Sequence, residues 1–282
     1  MIKFIVAGLK IKAEGDINQF FIDRVQSFSS DFKEEADINI HCEYCDNIET
    51  PAGKIISRFK ETTTYYDLNN SFGYYNTIPG TEIIYISTLI IKNNIFIKIF
   101  NFNNDPNVDF TYPVLNTTDS AVRYAFLDNK TLVLHSSSIA YNNSGVAFSA
   151  PSGTGKSTHT ALWLENYPAV IINDDSPIIR FENNKPYIYG SPWAGSTGIS
   201  NNIKVPLKAI IFLEQAPVNT IEKISNADAL VRIRSEIKNP HEKNYLLKTL
   251  EILDTLLINT DCYLLKCTPD KRASDLVKNT IF

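Results

Sequence analysis

The stretch from Gly145 to Asp175 constrains the fold more than any other part of the chain. Residues 145–150 form an apolar run of strand length, and the glycine-rich turn that follows ends in Lys156-Ser157. Residues 157–165 suit a helix, and a second apolar strand, at residues 169–172, stops at Asp174-Asp175. This order predicts a strand–loop–helix–strand unit of the α/β class.

The turn has the composition of a phosphate-binding loop. Gly153 and Gly155 accept positive φ, which turns backbone N–H groups inward beside the positive end of the next helix. We expect Lys156 to reach the β- and γ-phosphates of a nucleoside triphosphate and the Ser157 hydroxyl to hold Mg²⁺. The strict Walker A pattern begins with glycine, whereas this chain has Ala150, and an ordinary Gly/Ser loop before a helix is the alternative. The expected binding residues are Ser152, Gly153, Thr154, Gly155, Lys156, Ser157 and Thr158.

Composition excludes some function classes. The net charge of −4 leaves no basic excess to neutralise a nucleic-acid backbone, so no nucleic-acid partner is expected. No apolar run approaches the ~18 residues that a membrane helix needs. The apolar centre of residues 1–10 is too short for a signal peptide. The sequence therefore predicts a cytoplasmic protein without a membrane partner.

The chain changes character near residue 115. Residues 1–115 predict a β-rich N-terminal domain with one helix at 17–28 and a hairpin at 83–100, because they are rich in β-branched and aromatic residues. Residues 116–282 predict an α/β domain, so the whole chain is α+β. Its predicted elements include a strand at 131–141, helices at 226–237 and 245–258, and a last helix with Thr268 at its N-cap and Pro269 at N1.

The cysteines allow two interpretations. Cys42 and Cys45 form a C-x-x-C pattern that is typical of half a zinc site, but the second pair, Cys262 and Cys267, has a poor spacing for the other half. We expect partly buried thiols in strands of a reducing compartment.

Several motifs of the second half together resemble the catalytic domain of HPr kinase/phosphorylase, a fold shared with the ATP-using phosphoenolpyruvate carboxykinases. The similarity extends from about residue 131 to the end and is greatest to stand-alone, peptide-modifying kinases of that superfamily. The residues that carry it are His135, the run 152–159, Leu162-Trp163, Asn173-Asp174-Asp175, and the runs 191–195, 205–207 and 267–270.

The resemblance implies an ATP- and Mg²⁺-dependent kinase that phosphorylates a serine hydroxyl of a peptide or small protein. By position, Lys156 serves the phosphates, Asp174 is the base at the acceptor hydroxyl, and Asp175 joins Ser157 in the metal shell, although the two aspartates can exchange roles. His135 precedes Lys156 by the family's separation and is the third candidate catalytic residue, the alternative being a half-buried strand histidine. A solvated strand-end turn is the alternative for the aspartate pair.

Other interpretations stay open. The family signature E-x-R-G-L-G does not follow the aspartates, which leaves the acceptor and a reverse phosphorylase reaction undecided. A non-catalytic nucleotide-binding regulator and a kinase for a small-molecule hydroxyl are the alternative functions, and the first half is expected to cover the site or recognise the substrate. The relatives assemble as hexamers, so a homo-oligomer is a further expectation. His159 either packs or contacts nucleotide, Trp193 either stacks on a ligand or fills its loop, and the candidate stabilising cations are Arg180, Arg232 and Arg234.

Overall fold

The computed structural model describes residues 1–102, 112–195, 197–237 and 242–282. The chain has a mixed α/β architecture and divides into two compact units. The first comprises Met1–Phe126 and Pro240–Leu246, and the second comprises Leu127–Asn239 and Leu247–Phe282. The predicted division after residue 115 lies inside helix α2 (Pro113–Asp128), in which the first unit also ends.

The first unit is built on an eight-stranded sheet with the strand order β1-β2-β3-β8-β7-β6-β5-β4. A period-2 pattern buries alternate residues of β2, β3 and β8, such as Ile38 and Ile40, as expected for strands with one covered face. Helix α1 (Gln19–Val25) and a 3₁₀ turn (Gln26–Phe28) confirm the helix predicted at 17–28. The strands are β1 (Ile2–Val6), β2 (Leu9–Gly15), β3 (Ile38–Cys45), β4 (Gly53–Phe59), β5 (Thr62–Asp67), β6 (Phe72–Thr77), β7 (Ile84–Ile91) and β8 (Asn94–Phe100).

The predicted hairpin at 83–100 is confirmed as the antiparallel pair β7–β8. Both parts of the C-x-x-C pattern lie on β3, and all four cysteines are free thiols, two buried and two partly buried. The described residues contain no group of three or more His, Cys, Asp or Glu side chains arranged to hold a metal. The expectation that the thiols lie in strands and are at least partly buried agrees with the structure.

The second unit is built on a nine-stranded sheet. Strand β15 organises it, because it pairs in parallel with β11 and β17 and, near its start, antiparallel with β14. The strands are β9 (Thr131–Val133), β10 (Ser136–Tyr141), β11 (Ser144–Ser149), β12 (Val170–Asn173), β13 (Ile178–Glu182), β14 (Lys185–Tyr189), β15 (Lys204–Gln215), β16 (Thr220–Lys223) and β17 (Asp261–Cys267). The helices are α3 (Lys156–Asn166), α4 (Asn226–Ser235), α5 (Lys243–Asn259) and α6 (Lys271–Ile281).

The core that supports the site lies between this sheet and helices α3 and α6. Trp163 of α3 and Val277 of α6 are fully buried against Phe148 of β11 and Leu265 of β17. Burial of aromatic and branched side chains stabilises the fold by roughly 1.5–3 kcal/mol for each one. This packing fixes the start of α3 against the end of β11, so the loop between them has rigid supports at both ends.

Two local predictions for the second unit are wrong. The strand predicted at 131–141 is divided at residues 134–135, because Leu134 donates to Pro177 O and His135 donates to Glu236 O instead of continuing one ladder. The last helix begins after Asp270, whose carboxylate accepts from the backbone N–H of Arg272, so Asp270 and not Thr268 is the N-cap. Asp270 outcompetes Thr268 because its carboxylate reaches the free N–H groups directly.

No helix in the described ranges combines the length and the apolar character that a membrane span requires.

Candidate functional site

The glycine-rich loop joins β11 to α3 as predicted. Gly153 and Gly155 have φ values of +81° and +115°, and a Cβ added at either position meets no atom within 4 Å. Glycine is therefore required at both positions by the backbone conformation and not by close packing. The face of the loop is open to solvent. Ser152, Ser157 and Thr158 are exposed as well.

The first turn of α3 supplies further donors to this face. The leading N–H groups of a helix have no partner inside the helix, and the positive end of the helix dipole lies beside them. Gly155 is the residue before α3 and accepts a bond from His159 N at 2.9 Å, so the helix follows the loop without a break. An exposed set of backbone donors at a helix start is suited to an anion.

Lys156 closes the loop with its side chain. Its ammonium Nζ donates to the carbonyl oxygen of Ala150 at 2.6 Å, which links the two ends of the turn. The residue is only 9% exposed, and burial lowers the pKa of Lys156, while the carboxylates of Glu236 and Asp175 oppose that shift. A cation with few water contacts is thus available at the end of β11.

His135 lies between two carboxylates at the same end of the sheet. Nδ1 is 2.9 Å from Glu236 Oε2, and Nε2 is 3.4 Å from Asp175 Oδ1. The pKa of His135 is raised, chiefly by the Asp175 carboxylate that faces it, against the opposing effects of burial and of the positive charge on Lys156. The imidazole is one-third exposed, so it remains accessible from solvent.

The fold brings His135 to this position through main-chain bonds. The N–H groups of His135 and Ser136 donate to the carbonyls of Glu236 and Asp175, at 2.8 and 2.9 Å. The hydroxyl of Ser149, the last residue of β11, donates to His135 O at 3.1 Å. The break in the predicted strand therefore joins the histidine to the loop strand, to the aspartates and to the end of α4.

Asp174 and Asp175 face different neighbours, although they are adjacent. Asp174 Oδ1 accepts from Gly195 N at 2.8 Å, and its Oδ2 accepts from the Thr197 hydroxyl. Asp175 Oδ2 accepts from the Ser176 hydroxyl at 2.8 Å, and its Oδ1 faces His135. Asp174 is thus held by Gly195 and Thr197, and Asp175 belongs to the histidine cluster.

The side chain of Asn173 holds the backbone of the aspartate pair in place. Its side-chain oxygen accepts from the N–H groups of Asp175 and Ser176, at 2.8 and 2.6 Å, while its amide nitrogen donates to Ser191 O and to the Ser200 hydroxyl. Asn173 is fully buried, so these bonds are shielded from water. These bonds fix the end of β12, and with it the backbone that carries the Asp174 and Asp175 carboxylates.

Glu236 is the site residue that the sequence analysis missed. It is 6% exposed and follows α4, where a lone carboxylate after an amphipathic helix carries no distinguishing pattern. Its contact with His135 joins residues that are 101 positions apart. Only the tertiary fold brings these two residues together.

Three further residues that the sequence singled out are buried or paired within the protein. Trp193 is 3% exposed and His159 is 3% exposed, so both side chains are packed in the free protein. Arg232 pairs with Glu214 at 2.8 Å. Lys156, His135 and Asp175 lie close enough for their charges to act on one another, and Glu236 lies beside them.

Comparison with solved structures shows a distant likeness. The chain is similar to the structure of the Hpr(Ser) kinase/phosphatase from Coxiella burnetii, with 15% sequence identity and a TM-score of 0.31. The match covers 52% of this chain and 89% of that chain. No family model and no curated protein matches the sequence.

Proposed function

We propose that the second unit is an ATP- and Mg²⁺-dependent phosphotransferase domain of the HPr kinase type, which transfers the γ-phosphate to a hydroxyl group of a peptide or small protein. One observation carries the proposal. A buried lysine, a histidine held between two carboxylates and an aspartate fixed by a separate loop meet at the end of the strand that enters an open, glycine-rich turn.

The turn and Lys156 would bind the triphosphate. Phosphoryl transfer needs little covalent help from a protein and depends on positioning and charge neutralisation. Backbone N–H groups at the start of α3 and the Lys156 ammonium would supply the positive charge that neutralises the phosphates. These groups are already in place before the nucleotide binds. The bond from Lys156 to Ala150 O would be exchanged for a bond to a phosphate oxygen.

The donor set near the loop suits a magnesium ion that is bound mainly through phosphates and water. Mg²⁺ in such sites takes only one or two protein oxygens. Ser157 presents an exposed hydroxyl in the first turn of α3, and the Asp175 side chain is 40% exposed. We propose these two residues as its ligands, and the ion would neutralise charge on the β- and γ-phosphates.

Asp174 is the proposed base. Its carboxylate is oriented by Gly195 and Thr197 and stays partly exposed, which is suited to a group that must meet the acceptor at a fixed position. In the step, the acceptor oxygen forms a bond to the γ-phosphorus and the bond from that phosphorus to the β-bridging oxygen breaks. The hydroxyl proton passes to Asp174, and ADP leaves.

His135 and Glu236 would fix the electrostatics beside Asp175. A histidine bonded on both ring nitrogens has a defined orientation, and its raised pKa favours the cation that complements Asp175. A protein that only binds nucleotide has less need of the second, separately anchored carboxylate. This favours catalysis over the non-catalytic alternative.

The proposal is tested by phosphate transfer from γ-labelled ATP to a library of serine-containing peptides. Asp174→Asn is expected to bind Mg·ATP as the wild type does and to transfer phosphate roughly 10²–10⁴-fold more slowly. Asp261→Asn is the control, since Asp261 lies at the start of β17 and pairs with Lys223. Transfer that persists unchanged in Asp174→Asn would show that the base is another group, and a wild type that does not bind Mg·ATP would refute the function.

A further inference from the structure

A cavity of about 600 Å³ opens beside the glycine-rich loop. Its walls come from the loop, from one face of α3 and from the ends of β15 and β17. Leu162, Leu213, Ala216 and Pro269 form apolar parts of the walls, and Gln215 and Thr268 add polar groups. In the described part of the chain, His135 and the two aspartates are not among the residues that line it.

The cavity is tied to the loop by a hydrogen bond. The Gln215 side-chain amide donates to the backbone carbonyl of Thr154 at 3.2 Å, and Thr154 and Gly155 themselves line the cavity. A ligand that fills the cavity would therefore touch the residues proposed to hold phosphate. A cavity of this size that combines apolar walls with polar groups is suited to a small organic ligand.

His159, one of the residues that line the cavity, has a buried side-chain nitrogen without a hydrogen-bond partner. Trp163 Nε1 is a donor only, and it lies 3.3 Å from His159 Nε2, so Nε2 must accept. A ring nitrogen that accepts a hydrogen bond carries no proton, so the ring proton of His159 lies on Nδ1. Within the described residues, His159 Nδ1 has no hydrogen-bond partner.

Buried polar atoms are nearly always paired in proteins, so an exception calls for an explanation. His159 belongs to the helix that begins at the loop, only three positions beyond Lys156. An acceptor carried by a ligand in the adjoining cavity would satisfy the Nδ1–H group. Ring nitrogens and carbonyl oxygens of a nucleobase are acceptors of this kind.

We propose that this cavity holds the base and ribose of the nucleoside triphosphate and that His159 Nδ1–H donates to an acceptor atom of the base. The inference rests on the proposed function, because it needs phosphates on the loop. It places the nucleoside on the α3–β15–β17 side of the loop, whereas the transferred phosphate faces His135 and the aspartates.

Calorimetric titration with two probes separates this inference from the proposed function. Mg·ATP carries phosphates and a nucleoside, and magnesium tripolyphosphate carries the phosphates alone. In Ala216→Trp, an indole would fill the cavity without touching Lys156 or the aspartates. We expect the Kd for ATP to rise at least about tenfold and the Kd for tripolyphosphate to stay unchanged.

The outcomes are distinct. Unchanged ATP binding in folded Ala216→Trp, or equal weakening of both probes, would overturn the cavity as the nucleoside site. A wild type that binds neither probe would refute the proposed function and the inference with it. A wild type that binds both probes equally well would overturn the inference alone, because the nucleoside would then make no contact.

A pair of His159 variants provides a test that does not depend on the tryptophan variant folding. His159→Asn places an amide donor near the position of Nδ1, whereas His159→Gln places its amide near Nε2 and keeps an acceptor for Trp163. We expect ATP to bind to His159→Gln roughly 3- to 10-fold more weakly than to His159→Asn, with tripolyphosphate binding equal in the two. The reverse order for ATP, or no difference, would overturn the assignment of the donor.

Discussion

The two units contain the same trio of side chains in different surroundings. In the first unit, Glu14 lies 2.7 Å from Lys12 and 2.9 Å from His41 on the open face of the eight-stranded sheet, each side chain about one-third exposed. In the second unit, His135 makes the same 2.9 Å contact with Glu236, and the charge of Glu236 also acts on Lys156. There the carboxylate is 6% and the lysine 9% exposed.

Location therefore separates a surface ion pair from a candidate reaction centre. On the open sheet face, water screens the charges, and His41 stacks on Phe96 with ring centroids 4.9 Å apart. At the end of β11, burial strengthens the interactions between the charges, and a turn of backbone N–H donors lies beside His135, Glu236 and Lys156. The residue types alone do not distinguish the two trios.

The two lysines should differ most. Lys156→Ala removes the buried cation of the glycine-rich loop, and we expect phosphate transfer from ATP to fall by about 10³-fold. Lys12→Ala removes a lysine of similar chemistry from the sheet face and should leave transfer unchanged. Single-turnover transfer from γ-labelled ATP measures both variants. Equal losses would show that the buried lysine has no special role in transfer.

The two glutamates should differ in stability. Glu236→Ala removes the buried partner of His135 Nδ1, and we expect the free energy of unfolding to fall by about 2–3 kcal/mol. Glu14→Ala removes contacts between groups that water already reaches. It should change the free energy of unfolding by less than about 0.5 kcal/mol. Urea unfolding measures both values, and a loss for Glu14→Ala as large as that for Glu236→Ala would contradict the role of burial.

Acid should destabilise the second unit through His159. Its folded pKa of about 4 lies below the ordinary 6.5, so between these values the unfolded chain binds more protons and stability falls as the pH falls. Between pH 7 and pH 5 the wild type should lose about 2 kcal/mol more than His159→Gln. Urea unfolding at both pH values tests this, and parallel losses would mean that His159 is not held neutral by burial.

Two glycines give the smallest and most closely matched contrast. Gly153 and Gly80 have φ values of +81° and +75°, and an added Cβ meets no atom within 4 Å at either. Alanine at either position should cost about 1 kcal/mol of unfolding free energy for the backbone alone. Only Gly153→Ala should also weaken Mg·ATP binding in a calorimetric titration, and weaker binding in Gly80→Ala would remove the distinction between the regions.

Local sequence signals predicted the frame of the candidate site well. The strand at 145–150, the helix after Lys156 and the strand that stops at Asp174 all match β11, α3 and β12 within one or two residues. These elements are contiguous, and hydrophobic periodicity and glycine turns are local properties. The positive φ of Gly153 and Gly155 follows from the same local logic.

Contacts between distant segments were outside the reach of such signals. The break at residues 134–135 depends on the carbonyls of Pro177 and Glu236, which accept from the backbone N–H groups of Leu134 and His135. The anchoring of Asp174 depends on Gly195 and Thr197. The run 191–195 was singled out as part of the family resemblance, but the contact of Gly195 with Asp174 was not predicted. The cap of α6 failed for a local reason, because two capping residues lie close together and the carboxylate of Asp270 prevails.

Hydrogen–deuterium exchange with and without Mg·ATP tests the central claim most directly, because it reports where the nucleotide binds. We expect slower exchange for peptides that cover the glycine-rich loop and the first turn of α3, residues 152–158, and no change in strands β3 and β8 of the first sheet. Protection confined to the first sheet, or exchange at 152–158 that Mg·ATP leaves unaltered, would contradict it.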